Sequence, residues 1–174
     1  MDGTSLSGAE SQTRQALGHS RGGYTTKIHV LCEGTGKPIT VTVTPGQQHE
    51  QTQVDALLDQ VSIRGKKGRP RTRFDALSGD KAYDSQDTRQ TLRRRRTKPV
   101  IAHRKTRQGD YPPEAAGFDK TLYRRRNVVE RLIGRLKEYR RIATRYEKLA
   151  ASYVAMILLG FIRLWVKDLL SYTA

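Results

Sequence analysis

Residues 119–141 read DKTLYRRRNVVERLIGRLKEYRR, and they combine two patterns in one stretch. The apolar residues recur at helical spacing, which predicts one long helix over 119–141. At 100° per residue, Tyr123, Arg126 and Lys137 fall within about 40° of Glu130. One face of the predicted helix is therefore apolar, and a line of four polar side chains runs beside it.

This polar line has two interpretations. A carboxylate flanked by cations at the edge of a groove can bind a metal ion while the cations hold phosphates, and Gly134 leaves room for a ligand to come close. A solvated face with local ion pairs explains the same pattern, because Arg126 and Glu130 are four residues apart. Periodicity alone leaves both interpretations open.

Two further carboxylates stand where a metal site would need them. Asp80 follows a short apolar strand and a glycine, and Asp2 lies in what reads as the remnant of a strand. With Glu130 they could offer oxygen ligands to two hard divalent ions, Mg²⁺ or Mn²⁺, which is an arrangement suited to phosphodiester transfer. Each Asp taken alone also suits a turn or a helix cap, and Asp75 and Asp84 are rival acids near Asp80.

The order of the remaining elements predicts an α/β protein with a mixed sheet. The expected elements are a strand remnant at 2–6, strands at 24–31 and 38–44, a helix at 51–61, a strand at 73–78, a helix at 85–96 capped by Ser85, a strand at 98–102, and helices at 119–141 and 150–170. The longest apolar run of the chain, 155–162, is too short for a membrane span and is interrupted at once by Arg163, so the last helix is expected to be buried. Its apolar stripe is Val154, Ile157, Leu158, Phe161, Trp165 and Leu169.

The chain is strongly basic, and the excess lies in its second half. There are 33 Lys and Arg against 17 Asp and Glu, a net charge of +16, of which residues 81–174 carry +14. A polyanionic partner is expected, nucleic acid before others. The basic runs Arg93, Arg94, Arg95 and Arg96, and Arg124 to Arg126, are candidate phosphate contacts, although a solvated face is the simpler reading of each.

Composition also excludes several classes of protein. The single cysteine, Cys32, rules out an internal disulfide framework, and without a CxxC pair a structural zinc site is not expected. No charged start followed by an apolar run indicates a secretory signal. We therefore expect a cytoplasmic, nucleoid-associated protein with no membrane partner. A basic RNA-binding protein of ribosomal type would not need the polar line around Glu130.

Several motifs resemble those of bacterial insertion-sequence DDE transposases of the IS-five-like group. Tyr123, Arg126, Glu130 and Lys137 match the signature Y-x2-R-x3-E-x6-K around the catalytic Glu of that family. The segments 79–85 (GDKAYDS), 21–29 (RGGYTTKIH), 44–49 (TPGQQH) and 141–149 (RIATRYEKL) resemble family segments, and 2–4 (DGT) resembles the motif around the first Asp. The resemblance covers nearly the whole chain.

The resemblance implies a single catalytic domain over residues 1–174 with a ribonuclease-H-like fold. It implies a metal-binding catalytic triad of Asp2, Asp80 and Glu130, which would use Mg²⁺ or Mn²⁺ to cleave insertion-sequence ends and transfer the freed strand. In the family, the positions matching Tyr123, Arg126 and Lys137 lie near the DNA. Implied partners are DNA, as element ends and target, and either further copies of this chain on DNA or the product of an upstream reading frame.

The sequence departs from the family pattern at its start. Family members carry a further N-terminal region that binds element ends and then a full first strand, whereas here Met1 directly precedes Asp2. We therefore expect a truncated first strand, a C-terminal catalytic part, and little strand transfer by this chain alone. A non-catalytic DNA-binding remnant, or a regulator of a transposase, is the alternative function.

Overall fold

The computed structural model describes residues 14–21, 23–105 and 107–171, and it confirms the α/β class. The chain divides into two compact units. In the described residues, the first unit comprises 14–48 and 131–171, and the second comprises 49–130. The predicted strand remnant at 2–6, with Asp2, lies outside the described residues. That residues 1–174 act as one catalytic domain stays a prediction.

Strands and short helices alternate along the described chain. The strands are β1 (Gly18–Ser20), β2 (Gly23–Cys32), β3 (Pro38–Pro45), β4 (Ala76–Gly79) and β5 (Lys98–Ile101). The α-helices are α1 (Val54–Asp59), α2 (Gln86–Arg94), α3 (Lys120–Arg124), α4 (Asn127–Lys137), α5 (Arg140–Ala143) and α6 (Ala150–Ser171). Short 3₁₀ turns cover Glu50–Gln53, Lys81–Tyr83 and Pro113–Gly117.

The first unit is built on the predicted hairpin. Strands β1, β2 and β3 form an antiparallel sheet in that order, with Val30 opposite Val41. Alternation of apolar residues with threonines gives the hairpin one apolar face. On the neighbouring register position, the buried His29 ring is hydrogen-bonded through Nε2 to Thr44 Oγ1 at 2.8 Å. This imidazole therefore serves the pairing of β2 with β3.

Helices α4, α5 and α6 complete the core of the first unit. The buried cluster comprises Val41, Leu132, Leu136, Ile142, Tyr153, Ile157 and Phe161. Gly160 allows close packing there, because a Cβ at this position would lie 3.1 Å from the side chains of both Ile142 and Leu136. The Tyr153 hydroxyl donates to the Ile142 carbonyl at 2.8 Å, so the buried phenol keeps a hydrogen-bond partner.

Arg145 ties together two distant parts of the first unit. Its guanidinium donates to the Ala16 carbonyl at 3.3 Å and the Lys148 carbonyl at 3.0 Å, and also to Thr26 Oγ1. The guanidinium carbon lies 5.0 Å from the centre of the Tyr153 ring. Burial lowers the pKa of Arg145, because removing the guanidinium from water disfavours its charged form.

The last helix is confirmed, but its buried face differs from the predicted stripe. Helix α6 buries Ile157 and Phe161 as expected, whereas Leu158, Trp165 and Leu169 are 44%, 38% and 61% exposed. Apolar residues occupy most of the circumference of α6, so periodicity identifies the helix without fixing which side faces the core. The prediction that the whole stripe is buried was wrong for those three residues.

The second unit contains a parallel strand pair and short helices. Strands β4 and β5 align Ala76 with Lys98 and Gly79 with Ile101. Its core packs Val54 and Leu58 of α1 against Leu92 and Ile101, with Phe74, Leu77 and Tyr83 around them. The predicted Ser85 cap is confirmed, since Ser85 Oγ accepts a hydrogen bond from the Thr88 amide at 3.1 Å.

The described strands form one antiparallel sheet of three strands and one parallel pair, so both strand orientations of the predicted mixed sheet occur in the described residues. The strand expected at 2–6 lies outside the described residues. Within 14–21, 23–105 and 107–171, no helix has both the length and the apolar composition needed to cross a bilayer.

The long helix predicted over 119–141 is interrupted twice. It is divided into α3, α4 and α5. Between α3 and α4 the backbone tightens, since the amides of Arg125 and Arg126 donate to carbonyls three residues back, on Leu122 and Tyr123. A 3₁₀ turn rotates by about 120° per residue instead of 100°, so the predicted angle between Tyr123 and Glu130 does not hold across it.

Candidate active site

Asp80 lies directly after strand β4, as its sequence context predicted. Its Oδ1 accepts a hydrogen bond from the Lys81 amide at 2.6 Å, which caps the 3₁₀ turn that follows. Gly79 pairs with Ile101 of β5, so Asp80 follows directly after the paired part of β4. The second carboxyl oxygen of Asp80, Oδ2, is on the side of Arg126, and the Asp80 side chain is 56% exposed.

Glu130 lies in the first turn of α4 and is the last residue of the second unit. Its side chain is 60% exposed. The amides of Val128 and Val129 in this turn already donate to the carbonyls of Arg125 and Arg126, so the helix continues directly out of the preceding turn. Glu130 is therefore an accessible carboxylate on a well-ordered backbone.

Arg126 lies between these two carboxylates. One terminal nitrogen of its guanidinium donates to Glu130 Oε1 at 2.7 Å, and the other lies 3.9 Å from Asp80 Oδ2. Asp80 and Glu130 are 50 residues apart in the sequence, yet both reach the same cation. The structure therefore brings together Asp80, Arg126 and Glu130, three of the residues singled out from the sequence.

Aromatic rings hold Arg126 in place. Its guanidinium carbon lies 5.5 Å from the centre of the Tyr123 ring, and the Phe118 ring meets Tyr123 edge-on at 5.1 Å between centres. The Arg126 side chain is only 25% exposed. Tyr123 therefore contacts the site through Arg126, and Phe118, which sequence reasoning did not select, supports Tyr123 from behind.

The two ion pairs of Arg126 are weak enough to be exchanged. Both acids are more than half exposed, and exposed pairs of this kind contribute about 0.2–1 kcal/mol each. Replacing the guanidinium by another cation would therefore cost little. The carboxylate oxygens are the donors that Mg²⁺ and Mn²⁺ prefer, so the pair fits a hard divalent ion.

Tyr83 lies in the 3₁₀ turn that follows Asp80, and its phenol differs from the exposed acids. Burial raises the pKa of Tyr83 to about 12, and the negative charges of Glu50 and Asp80 add to the shift. A hydroxyl with this pKa stays protonated near neutral pH, so it can donate a hydrogen bond but cannot act as a base there. Its ring belongs to the core of the second unit.

The rival acids near Asp80 have other partners. Arg89 donates twice to Asp84 Oδ1, at 3.0 and 2.8 Å, while the Arg104 amide donates to Oδ2 at 2.6 Å. The side chains of Arg89 and Asp84 are only 10% and 11% exposed. Asp84 is thus a buried structural acid. Asp75 is 97% exposed and pairs with Arg71.

Two other predicted site residues are not part of this cluster. Lys137 is exposed at the end of α4 and belongs to the first unit. Asp2 lies outside the described residues. Among the residues that the structure describes, no group of three or more His, Cys, Asp or Glu side chains could hold a metal ion. The proposed triad thus rests on two described carboxylates.

The basic run at the end of α2 is not uniform. Arg93, Arg94 and Arg96 are exposed, whereas Arg95 is half-buried and forms an ion pair with Asp59. This pairing was not visible in the sequence, because the two residues are 36 positions apart. Arg96 ends the helix with a φ of +54°, a conformation that favours glycine. Three of the four arginines therefore present their charge to solvent.

Comparison with known proteins identifies the family. Residues 1–165 match the family described as Transposase DDE domain. The "Putative transposase for insertion sequence element IS402" of Burkholderia cepacia is 33% identical over 135 residues, which cover 77% of this chain and 59% of that relative. The "Putative transposase for insertion sequence element IS6501" of Brucella ovis is 27% identical over 143 residues, 82% of this chain and 99% of that relative.

The match to the first of these relatives spans 59% of its length, so part of that protein has no counterpart in the aligned region. No solved structure matches the chain. The family match extends over nearly the whole sequence and confirms the resemblance that the motifs indicated. The chain therefore belongs to the Transposase DDE domain family.

Proposed function

We propose that this chain is the catalytic part of a transposase that cuts and joins DNA at the ends of an insertion sequence. The observation that supports the proposal is that both Asp80 and Glu130 lie within ion-pair distance of the same Arg126 guanidinium. A ribonuclease-H-like fold and a triad of Asp2, Asp80 and Glu130 are part of the proposal. Membership of the DDE family supports both.

The described half of the triad suits a divalent cation. Asp80 and Glu130 are exposed carboxylates held by weak ion pairs, and their oxygens are hard ligands. Asp2 would add the third carboxylate. When bound, Mg²⁺ or Mn²⁺ would supply the activation of the attacking oxygen and the stabilisation of the leaving oxygen in phosphodiester transfer.

The protein's own side chains have distinct roles in this proposal. Once released from the acids, Arg126 would hold a DNA phosphate by paired hydrogen bonds, with Tyr123 fixing the plane of the guanidinium. Lys137 would meet the phosphate backbone as a point charge. The exposed Arg93, Arg94 and Arg96 would bind the backbone without reading its sequence.

The partners follow from the same chemistry. Element ends and target DNA are the proposed substrates, met by a chain with a net charge of +16. Such a protein would be concentrated on the nucleoid. Assembly of several copies on DNA is part of the proposal, since two element ends must be brought together for joining.

Metal binding to the full chain tests the proposal without requiring activity. Mn²⁺ titration followed by calorimetry should show binding that Asp80→Asn and Glu130→Gln each weaken by at least tenfold. The matched control is Asp75→Asn, an exposed acid five residues before Asp80, which should leave the affinity unchanged. A Mn²⁺ affinity that is the same in the wild-type chain and in both site variants would show that these carboxylates do not bind the metal.

Cleavage is tested next, with DNA carrying the sequences that flank the gene. Nicking and joining should require Mg²⁺ or Mn²⁺ and should disappear in Asp80→Asn and Glu130→Gln but persist in Asp75→Asn. The same comparison is made a second time after supplying the N-terminal region of a longer relative. DNA binding with no site-dependent cleavage in either format would favour the non-catalytic regulator.

A further inference from the structure

Helix α6 carries a second apolar face that nothing in the described structure covers. Six large apolar side chains on this face are 44–65% exposed: Leu158, Leu159, Ile162, Val166, Leu169 and Leu170. They lie away from the buried Tyr153 and Ile157, whereas the neighbouring Trp165 donates a hydrogen bond from Nε1 to the Pro38 carbonyl at 3.0 Å. A helix that is apolar on both sides is expected to be buried on both sides.

The spacing on this face is that of a helix pair. Exposed residues at 155, 159, 162, 166 and 169 are separated by four, three, four and three positions, and their side chains are Ala, Leu, Ile, Val and Leu. We call these five residues the α6 seam. A repeat of 3.5 residues keeps one stripe in contact with a partner helix along its length, and Leu, Ile and Val are the residues that fill such a stripe.

The exposed area matches what one copy contributes to a dimer. Given their exposed fractions, the six side chains present on the order of 600 Å² of surface, which is at the lower end of the about 600–1,000 Å² that each partner contributes to a standard specific interface. Contiguous apolar patches of this size on a protein surface mark interaction sites. A small ligand would not cover the face, because it extends along about three turns of helix.

Charge points to a copy of the same chain as the occupant. The seam itself contains no charged residue, and Arg163, Lys167 and Asp168, which are adjacent to seam residues in the sequence, lie to its side and behind it. An acidic partner would find no cation within the seam. A lipid surface favours a helix whose opposite face is polar, whereas the opposite face of α6 packs in the hydrophobic core. A two-fold contact needs the same apolar stripe on both partners, and the α6 seam meets this condition by itself.

We propose that the α6 seam is the interface of a two-fold dimer that this chain forms in the absence of DNA. The inference does not depend on catalysis, because it uses no residue of the Asp80–Glu130 site. Each copy carries a charge of +16, so electrostatic repulsion opposes the contact at low ionic strength. Raising the salt concentration should therefore strengthen the dimer, the reverse of its effect on DNA binding.

Sedimentation equilibrium of the full chain without DNA or metal tests the proposal. We expect a mass of twice 19.7 kDa at 0.5 M salt, and a larger monomer fraction at about 0.05 M, where screening is weaker. Ile162→Glu places a charge in the middle of the seam and should give a monomer at both salt concentrations. Circular dichroism should show unchanged helix content, since Ile162 is 58% exposed and outside the core.

Leu149→Glu is the matched control. Leu149 is 51% exposed, lies one residue before α6 and is not part of the seam, so the same change of charge should leave the dimer intact. A wild-type chain that is monomeric at high salt would overturn the proposal. A dimer that survives Ile162→Glu, or one that Leu149→Glu dissociates equally well, would show that the contact lies elsewhere.

Discussion

Replacing Arg126 should improve metal binding while damaging cleavage. In the structure its guanidinium occupies the position between Asp80 and Glu130 that a divalent ion would need, held by contacts of 3.9 and 2.7 Å. Arg126→Met removes the competing charge and retains an aliphatic stem beside the Tyr123 ring. We therefore expect Mn²⁺ to bind more tightly to the variant than to the wild-type chain.

The size of the effect follows from the two ion pairs. Each contributes about 0.2–1 kcal/mol at this exposure, so their joint removal makes the carboxylates available at a gain of about 0.4–2 kcal/mol. Since about 1.4 kcal/mol is a factor of ten, the Mn²⁺ affinity should rise by about twofold to thirtyfold. Cleavage should fall, because the same guanidinium is the proposed phosphate ligand.

Calorimetric titration of the DNA-free chain at fixed ionic strength measures the first effect. Arg125→Met is the control, because it removes the same charge from the adjacent, exposed position and so matches the long-range electrostatic change. The Arg126 variant should exceed this control in affinity. Equal affinities in the two variants, or a weaker site in Arg126→Met, would refute the idea that Arg126 competes with the metal.

Three other predictions concern charge and burial. The log–log salt slope of DNA binding should fall by about 0.9 for Arg93→Ala, since one phosphate contact is lost, but should not fall for Arg95→Ala. Arg89→Met should lower the free energy of unfolding by about 3–5 kcal/mol in urea titrations, because it leaves the buried carboxylate of Asp84 without its cation. Burial raises the pKa of Cys32 to about 11 from 9.0, so its alkylation by iodoacetamide at pH 8 should be about 100-fold slower than that of an unperturbed thiol.

These outcomes have matched controls. Arg71→Met breaks the exposed pair with Asp75 and should cost less than about 1 kcal/mol, so an equal loss for Arg89→Met would contradict the role of burial. A salt slope that falls for Arg95→Ala as much as for Arg93→Ala would show that the ion pair with Asp59 does not keep Arg95 from contacting a DNA phosphate. The alkylation rate of Cys32 should keep rising through pH 10, and a plateau near pH 9 would contradict the raised pKa.

The sequence predicted elements well where one local rule decided them. Strand β3 shows strict alternation, with Val41 and Val43 between threonines, and β2 is rich in β-prone residues; both formed within a residue or two of the expected bounds. The start of helix α2 was predictable from Ser85, because an N-cap hydrogen bond joins residues only three positions apart. Asp80 followed from the rule that polar residues come directly after a buried strand.

Contacts between distant residues were beyond these rules. The Arg95–Asp59 pair and the placement of Arg126 beside Asp80 join positions separated by tens of residues, and periodicity carries no information on such distances. The break after α3 was missed because three arginines and an asparagine are all tolerated in a helix, and only hydrogen bonding shows the tightened turn. The buried side of helix α6 was predicted wrongly, because its apolar residues form two faces and the sequence does not show which one packs in the core.

The first unit has a consequence for how the chain is made. Its sheet comes from residues 14–48 and the rest of its core from 131–171, with the whole second unit between them. At synthesis rates of about 5–20 residues per second, on the order of ten seconds separates the emergence of β3 from that of the middle of α6. Until then Val41 and its neighbours have no helices to cover them, whereas the second unit, a continuous stretch, is already complete. The sheet of the first unit, although synthesised before the second unit, is therefore the last part of the described structure to have its apolar face covered. Substitutions that destabilise α6 should first be detected as aggregation of nascent chains through this uncovered hairpin.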